Sequence, residues 1–146
     1  MLDIADLCAG YGHGPVVQNI HMTVGRGETV ALLGPNGAGK STLLAALSGT
    51  LRERSGCARM DGVDLVQLPT HAIVGHGLVQ VPEGRRMFAP LSVQDNLRLG
   101  TVRLGGRKPS LVQARFDYVY SMFPRLAERR RQLAGTLSGG EHKWWR

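Results

Sequence analysis

The sequence predicts an α/β fold, and three observations carry that prediction. Two segments near the amino terminus, residues 2–7 and 16–24, alternate apolar and polar side chains as half-buried strands do. The apolar run at residues 29–33 is typical of a strand buried on both faces of a sheet. A glycine-rich loop and a helical run follow it directly, so we expect a strand, a loop and a helix in succession.

Shorter elements are predicted in the middle of the chain. Residues 57–65 favour a hairpin that turns at Asp61-Gly62, and residues 69–74 favour a short helix. The apolar residues at 78–81 indicate one more strand, because Pro82 stops the run.

The last third is predicted to be helical. Ser92 precedes Asp95 by three residues, which is the spacing of a helix N-cap and a following acid. From residue 110 to 132 the apolar side chains recur at helical spacing, with an interruption at Pro124. We find no internal repeat.

Composition limits the class of protein. The chain has 146 residues, of which 42% are apolar and 20% charged, which suits one globular domain and excludes a wholly disordered chain. No run approaches the roughly 18 apolar residues that span a membrane, and acids near the amino terminus argue against a secretion signal. Cys8 and Cys57 lack metal-ligand spacing, so we expect ordinary reduced cysteines.

Positive charge is concentrated at one end. Residues 1–100 carry 8 basic and 8 acidic side chains, whereas residues 101–146 carry 10 and 3, which accounts for the net charge of +7. We interpret this as a solvated helical face. The alternative is a basic module that binds nucleic acid, which predicts salt-sensitive binding to any polyanion. Few aromatic side chains accompany the bases, so we expect no nucleic-acid partner.

The motif at residues 34–42, here called the phosphate loop, carries the most chemistry. It fits the pattern G-x-x-x-x-G-K-[ST] between a predicted strand and a predicted helix. Glycines let backbone N–H groups approach phosphate oxygens, and the helix N-terminus adds positive potential. Lys40 would reach the β- and γ-phosphates, and the Ser41 hydroxyl would ligate Mg²⁺. The candidate residues for a nucleoside triphosphate are Gly34, Asn36, Gly37, Gly39, Lys40, Ser41 and Thr42.

A second glycine-rich motif, Leu137-Ser138-Gly139-Gly140-Glu141, distinguishes among the classes of protein with such a loop. Together with the phosphate loop, it resembles the nucleotide-binding domain of ABC transporters, whose signature is L-S-G-G-Q or a close variant. The resemblance implies an ABC-type P-loop fold with an antiparallel amino-terminal part and a helical subdomain. It also implies ATP and Mg²⁺, and a signature that closes over ATP held by a second ATP-binding subunit in a head-to-tail dimer. The matching residues are Leu137, Ser138, Gly139, Gly140 and Glu141.

The resemblance assigns two further positions. Tyr11 stands where the family places an aromatic side chain that stacks on adenine. Glu83 stands where the Q-loop of the family usually has Gln, whereas Gln80 is expected inside the preceding strand.

Residues 82–86 and 123–131 resemble one subgroup, the smaller ATP-binding subunit of branched-chain amino acid importers, with urea-type or other amino-acid importers as the alternative. This implies transmembrane permease subunits, an indirect periplasmic substrate-binding protein, and a cytoplasmic position on the inner face of the plasma membrane. The resemblance also implies a division of the chain into an ATP-binding core at residues 1–91, a helical subdomain at 92–136, and the signature with a tail at 137–146.

The sequence departs from the family after Glu141. Residues 142–146 do not match the family's helix, and residues 1–146 contain neither an apolar strand ending in Asp-Glu nor the His that contacts the γ-phosphate. We therefore expect a truncated chain with no catalytic residues present, an incomplete core sheet, and an open apolar edge at residues 29–33. A nucleotide-binding fragment without turnover is the functional alternative to an active ATPase.

Overall fold

The computed structural model describes residues 1–84, 87–101 and 109–137, and it divides into two compact units, Met1–Gln80 and Val81–Arg146. The first unit is built on a β-sheet, and the second is helical where it is described. Each unit has its own apolar core.

An antiparallel four-stranded sheet organises the first unit, and its strands, numbered along the chain, stand side by side in the order 2-1-3-4. Ile4 and Leu7 on the central strand are both buried although they lie three residues apart, because the register shifts between them. The predicted amino-terminal strands and the hairpin at Asp61-Gly62 are confirmed. The strands are β1 (Leu2–Gly10), β2 (Pro15–Val24), β3 (Arg54–Met60) and β4 (Val63–Asp64).

Two helices pack on this sheet, α1 (Lys40–Ser48) and α2 (Thr70–His76), and a 3₁₀ turn at Leu65–Gln67 follows β4. Both helices were expected from the sequence. Their apolar side chains join those of β1 and β3 in the main core, which is formed by Ile4, Leu7, Leu43, Leu47, Ala58, Leu65 and Ile73.

The Arg54 side chain links the end of α1 to the segment after the 3₁₀ turn by donating to backbone carbonyls of both. Its guanidinium donates to the Ala46 oxygen at the end of α1, at 2.5 Å, and to the Leu68 oxygen beyond the 3₁₀ turn, at 2.6 Å. Burial lowers the pKa of Arg54, against the opposing effect of Asp64. The Ala46 carbonyl also accepts from the Gly49 N–H at 3.2 Å, so Arg54 adds a second donor at the end of α1 and links it to the segment beyond the 3₁₀ turn.

The strands predicted at residues 29–33 and 78–81 are wrong. Neither segment is paired within the described part of the chain, where the sheet consists of β1 to β4. Val30 is 41% exposed, Leu33 91% and Val79 65%, so the segments are not buried on two faces. An extended segment becomes a strand only where a neighbour supplies hydrogen-bond partners. Apolar side chains are exposed at residues 29–33, as the sequence led us to expect of an open edge there.

The described part of the second unit contains three α-helices, α3 (Val93–Leu99), α4 (Pro109–Met122) and α5 (Pro124–Glu128), and a 3₁₀ turn at Ala134–Thr136. Ser92 caps α3 by accepting from the Asp95 N–H at 3.1 Å, and the helical pattern breaks before Pro124, so both predictions are confirmed. The proposed functional parts, residues 1–91, 92–136 and 137–146, stay predictions.

Candidate nucleotide-binding site

The phosphate loop runs directly into α1, and the helix start is uncapped. Gly39 is the N-cap residue with φ of 84°, and no side chain caps the helix there. The first helical bond joins the Leu43 N–H to the Gly39 carbonyl at 2.8 Å, so the N–H groups of the first turn have no partner within the helix. Such a helix start is an anion site, because the free donors and the helix dipole both favour negative charge.

Gly39 is required for its packing as well as for its backbone. A Cβ atom at this position would lie 2.5 Å from Val17 Cγ1 on β2, closer than real carbon atoms approach. The phosphate loop therefore meets the first residues of β2 at the point where α1 begins.

Lys40 is held over the loop from which it projects. Its Nζ donates to the carbonyl oxygens of Gly34 at 2.8 Å and Pro35 at 2.7 Å. An ammonium has three donors, so these two contacts leave one for an anion at the loop.

The remaining loop residues leave room for a ligand. Asn36, Gly37 and Ser41 are exposed, whereas Thr42 is buried under the helix start. A Cβ atom at Gly37 would meet nothing within 4 Å. An open, donor-lined loop with a hydroxyl at Ser41 fits a phosphate chain and its Mg²⁺ ion. Within residues 1–84, 87–101 and 109–137, no cluster of three His, Cys, Asp or Glu side chains could hold a metal.

Tyr11 lies in the four residues that join β1 to β2, here called the hairpin loop (residues 11–14), and its side chain is 58% exposed. Because β2 starts at Pro15 and meets Gly39 through Val17, the hairpin loop and the phosphate loop adjoin the same end of β2. This placement is compatible with a role for Tyr11 beside a bound nucleotide, and the role stays a prediction.

The other predicted positions are placed differently. Glu83 is exposed in the second unit, and Leu137 is buried there beside Val93. Gln80 does not face solvent freely, because its Oε1 accepts from the Ser48 hydroxyl at 2.8 Å. Ser138, Gly139, Gly140 and Glu141 lie outside the described residues, so the predicted signature loop stays a prediction.

Sequence reasoning missed two polar residues that fix loops. The Asn96 amide accepts from the Phe88 N–H at 2.9 Å and donates to the Phe88 carbonyl at 3.1 Å and the Ser92 carbonyl at 2.9 Å. The Glu53 carboxylate accepts from the Gly12 N–H beside Tyr11. Neither residue belongs to a local motif. Only their spatial neighbours identify them.

None of the helices in the described ranges has the length and apolarity needed to cross a membrane.

Known proteins resemble this chain along nearly its whole length. The ABC transporter family model matches residues 17–145. The high-affinity branched-chain amino acid transport ATP-binding protein BraG of Pseudomonas aeruginosa is 41% identical over 143 residues, which cover 98% of this chain and 60% of BraG. The probable branched-chain amino acid transport ATP-binding protein LivF of Archaeoglobus fulgidus is 32% identical over 143 residues, covering 98% of this chain and 59% of LivF.

A solved structure shows the same arrangement of elements. The ATP-binding subunit of an ABC transporter superposes with a TM-score of 0.83 at 28% identity, over 99% of this chain and 58% of that one. The chain thus spans about 60% of the length of the curated relatives BraG and LivF. The sequence match and the shared α/β architecture together establish that this chain belongs to the ABC transporter family.

Proposed function

We propose that residues 1–146 bind ATP with Mg²⁺ at the phosphate loop, as the nucleotide-binding part of an ABC importer subunit. The observation that carries the proposal is the uncapped start of α1, reached through a left-handed glycine, with the Lys40 ammonium fixed over the loop carbonyls. This geometry supplies N–H donors, a helix dipole and one cation at a single place.

Each group has a distinct part in holding the nucleotide. The N–H groups of the first turn of α1 would donate to phosphate oxygens, and Lys40 would turn its free donor to the terminal phosphates. The Ser41 hydroxyl would ligate Mg²⁺, which supplies charge neutralisation along the phosphates when bound. Tyr11 would offer its ring to adenine.

We propose that residues 1–146 on their own bind ATP without hydrolysing it. Hydrolysis requires a residue that orients the attacking water and groups that stabilise charge on the transferred phosphoryl group. These residues include no apolar run that ends in Asp-Glu, and none of the five histidines stands where the family has its γ-phosphate contact.

Branched-chain amino acid import is the process we propose for the complete subunit. Support comes from the similarity to BraG and LivF, which are named as branched-chain amino acid transport ATP-binding proteins, and from the sequence at residues 82–86. The proposal includes a head-to-tail dimer with a second ATP-binding subunit, contact with transmembrane permeases, and a position on the inner face of the plasma membrane. Import of urea, or of another amino acid, is the alternative.

Isothermal titration with ATP and Mg²⁺ tests the nucleotide site, with K40A against R52A. Arg52 is an exposed cation beyond the end of α1, so both variants lose one positive charge. A charge-assisted bond is worth about 1.5–3 kcal/mol, so K40A should lose roughly 10- to 100-fold in affinity, whereas R52A should match the unmodified chain. Equal losses in the two variants, or no binding by the unmodified chain, would overturn the proposal.

A phosphate-release assay on the same samples tests the second statement. We expect bound ATP and no release above the uncatalysed rate. Release that disappears in K40A would show turnover and would contradict it.

A further inference from the structure

Glu53 holds the hairpin loop on both sides of Tyr11. The backbone N–H of Gly10, directly before Tyr11, donates to the Glu53 carbonyl oxygen at 3.1 Å. The N–H of Gly12, directly after Tyr11, donates to the Glu53 carboxylate at 2.5 Å. One residue directly before β3 thus fixes the two peptide groups that flank the aromatic side chain.

The hairpin loop, whose ends are joined where Gly10 pairs with Pro15, is rich in glycine. Gly12 and Gly14 lie in the loop, with φ of 88° and 108°, and Gly10 directly precedes it. Glycine at these positions leaves the chain many conformations, so ordering the loop costs entropy that a local contact must offset. An open cavity of about 350 Å³, lined in part by Gly10, Gly14 and Glu53, lies beside this end of the hairpin in place of packed side chains.

We propose that Glu53 is a positioning residue for the nucleotide base, acting through Tyr11. This inference rests on the proposed binding of ATP at the phosphate loop. The Glu53 carboxylate holds the Gly12 peptide, and the Gly12 peptide in turn limits where the Tyr11 ring can lie. A ring that is already in place loses less freedom when adenine stacks on it, and so binds adenine more tightly.

The side-chain bond can be removed without removing the backbone bond. In E53A the Gly10 N–H keeps its carbonyl acceptor, so the pairing of β1 with β3 remains. Only the hydrogen bond from the Gly12 N–H to the side chain is lost. In E53Q the side-chain amide oxygen can still accept from Gly12. Glu28 provides a matched control, because its carboxylate accepts from the Gly25 N–H in a turn away from Tyr11.

The test is a double-variant cycle on ATP affinity, with inorganic tripolyphosphate as the probe that lacks a base. We expect E53A to weaken ATP binding by about 5- to 10-fold and to leave tripolyphosphate binding within twofold, since a base stacked on an aromatic ring contributes only about 10- to 100-fold. E53Q and E28A should stay within twofold of the unmodified chain for both probes. In a Y11A background, E53A should cause no further loss, because its effect passes through that ring.

Several outcomes would overturn the inference, and each has a different meaning. Equal weakening of both probes, or a loss that adds to that of Y11A, would show a general effect on folding. Tighter ATP binding in both E53A and E53Q would show that the carboxylate only repels the phosphates. If ATP binds the unmodified chain no better than tripolyphosphate does, the base makes no favourable contact, whereas binding at the phosphate loop still holds. Failure of both probes to bind would overturn the proposed function as well.

Discussion

Replacing Gly39 with alanine should destabilise the chain through two separable effects. The backbone there has φ of 84°, which costs an L-residue about 1–2 kcal/mol. The new Cβ would also lie 2.5 Å from Val17 Cγ1, and the shift that relieves such overpacking costs about 1–3 kcal/mol. We therefore expect G39A to lose about 2–5 kcal/mol in free energy of unfolding, by summing these two contributions.

Two further variants separate the effects. Gly37 has φ of 85° and open space around its missing Cβ, so G37A should lose only the backbone contribution of about 1–2 kcal/mol. V17A removes the atom that G39A would strike, at its own cost of about 1–2 kcal/mol for the lost buried carbons. In the V17A background, G39A should therefore cost no more than G37A does alone.

Urea unfolding followed by far-ultraviolet circular dichroism measures all five proteins: the unmodified chain, the three single variants and the double variant. The cycle should give a coupling of about 1–3 kcal/mol between positions 17 and 39, the size of the relieved clash. A G39A cost that V17A leaves unchanged, or one equal to that of G37A in the original background, would refute the proposed contact. If G39A alone does not fold, the difference between V17A and the double variant still gives the backbone contribution, and folding of the double variant would itself show that V17A relieves the clash.

Three further predictions concern local contacts. N96A should lower the free energy of unfolding by about 1–3 kcal/mol and speed hydrogen exchange at the Phe88 N–H, and N96D should do the same because a carboxylate cannot donate to the Phe88 and Ser92 carbonyls; slow exchange at Phe88 in both variants would contradict this. The hydrogen bond from the amino terminus, with a smaller contribution from Arg26, lowers the pKa of the Asp61 carboxyl. The ionised carboxylate therefore stabilises the folded chain above the ordinary pKa range of Asp, and this stabilisation is lost as pH falls through the lowered pKa, so the urea midpoint of D61N should fall less on acidification than that of the unmodified chain. S92A should lose about 1 kcal/mol in free energy of unfolding with the cap of α3, and S92T should restore most of it because its hydroxyl can still accept from the Asp95 N–H and donate to the Asp95 carboxylate; equal midpoints for S92A and the unmodified chain would show that the cap contributes nothing.

Local patterns predicted the elements whose stabilising contacts lie nearby in sequence. The hairpin at Asp61-Gly62 joins adjacent strands, and α3 is capped from within its own first turn. The phosphate loop was also predictable, because its donors and its lysine come from one short segment. In these cases the residues that determine the structure are the same residues that form the pattern.

The strands predicted at residues 29–33 and 78–81 would require a neighbouring paired strand, which a local sequence pattern does not reveal. Leu33 is 91% exposed although its neighbours form an apolar run, because burial depends on a paired strand and the run supplies only one side of the pair. Glu53 was missed for a related reason. Its partner Gly12 lies 41 residues earlier, so no local spacing connects the two.

Hydrogen exchange with and without ATP and Mg²⁺ tests the central statement that a nucleotide binds at the start of α1. We predict slower exchange at the N–H groups of residues 34–43 and of the hairpin loop, with the basic segment at 125–131 unchanged. Protection that appears instead at 125–131 and disappears with added salt would indicate unspecific attraction of a polyanion. Such a result, or the absence of any protection in residues 34–43, would contradict the account.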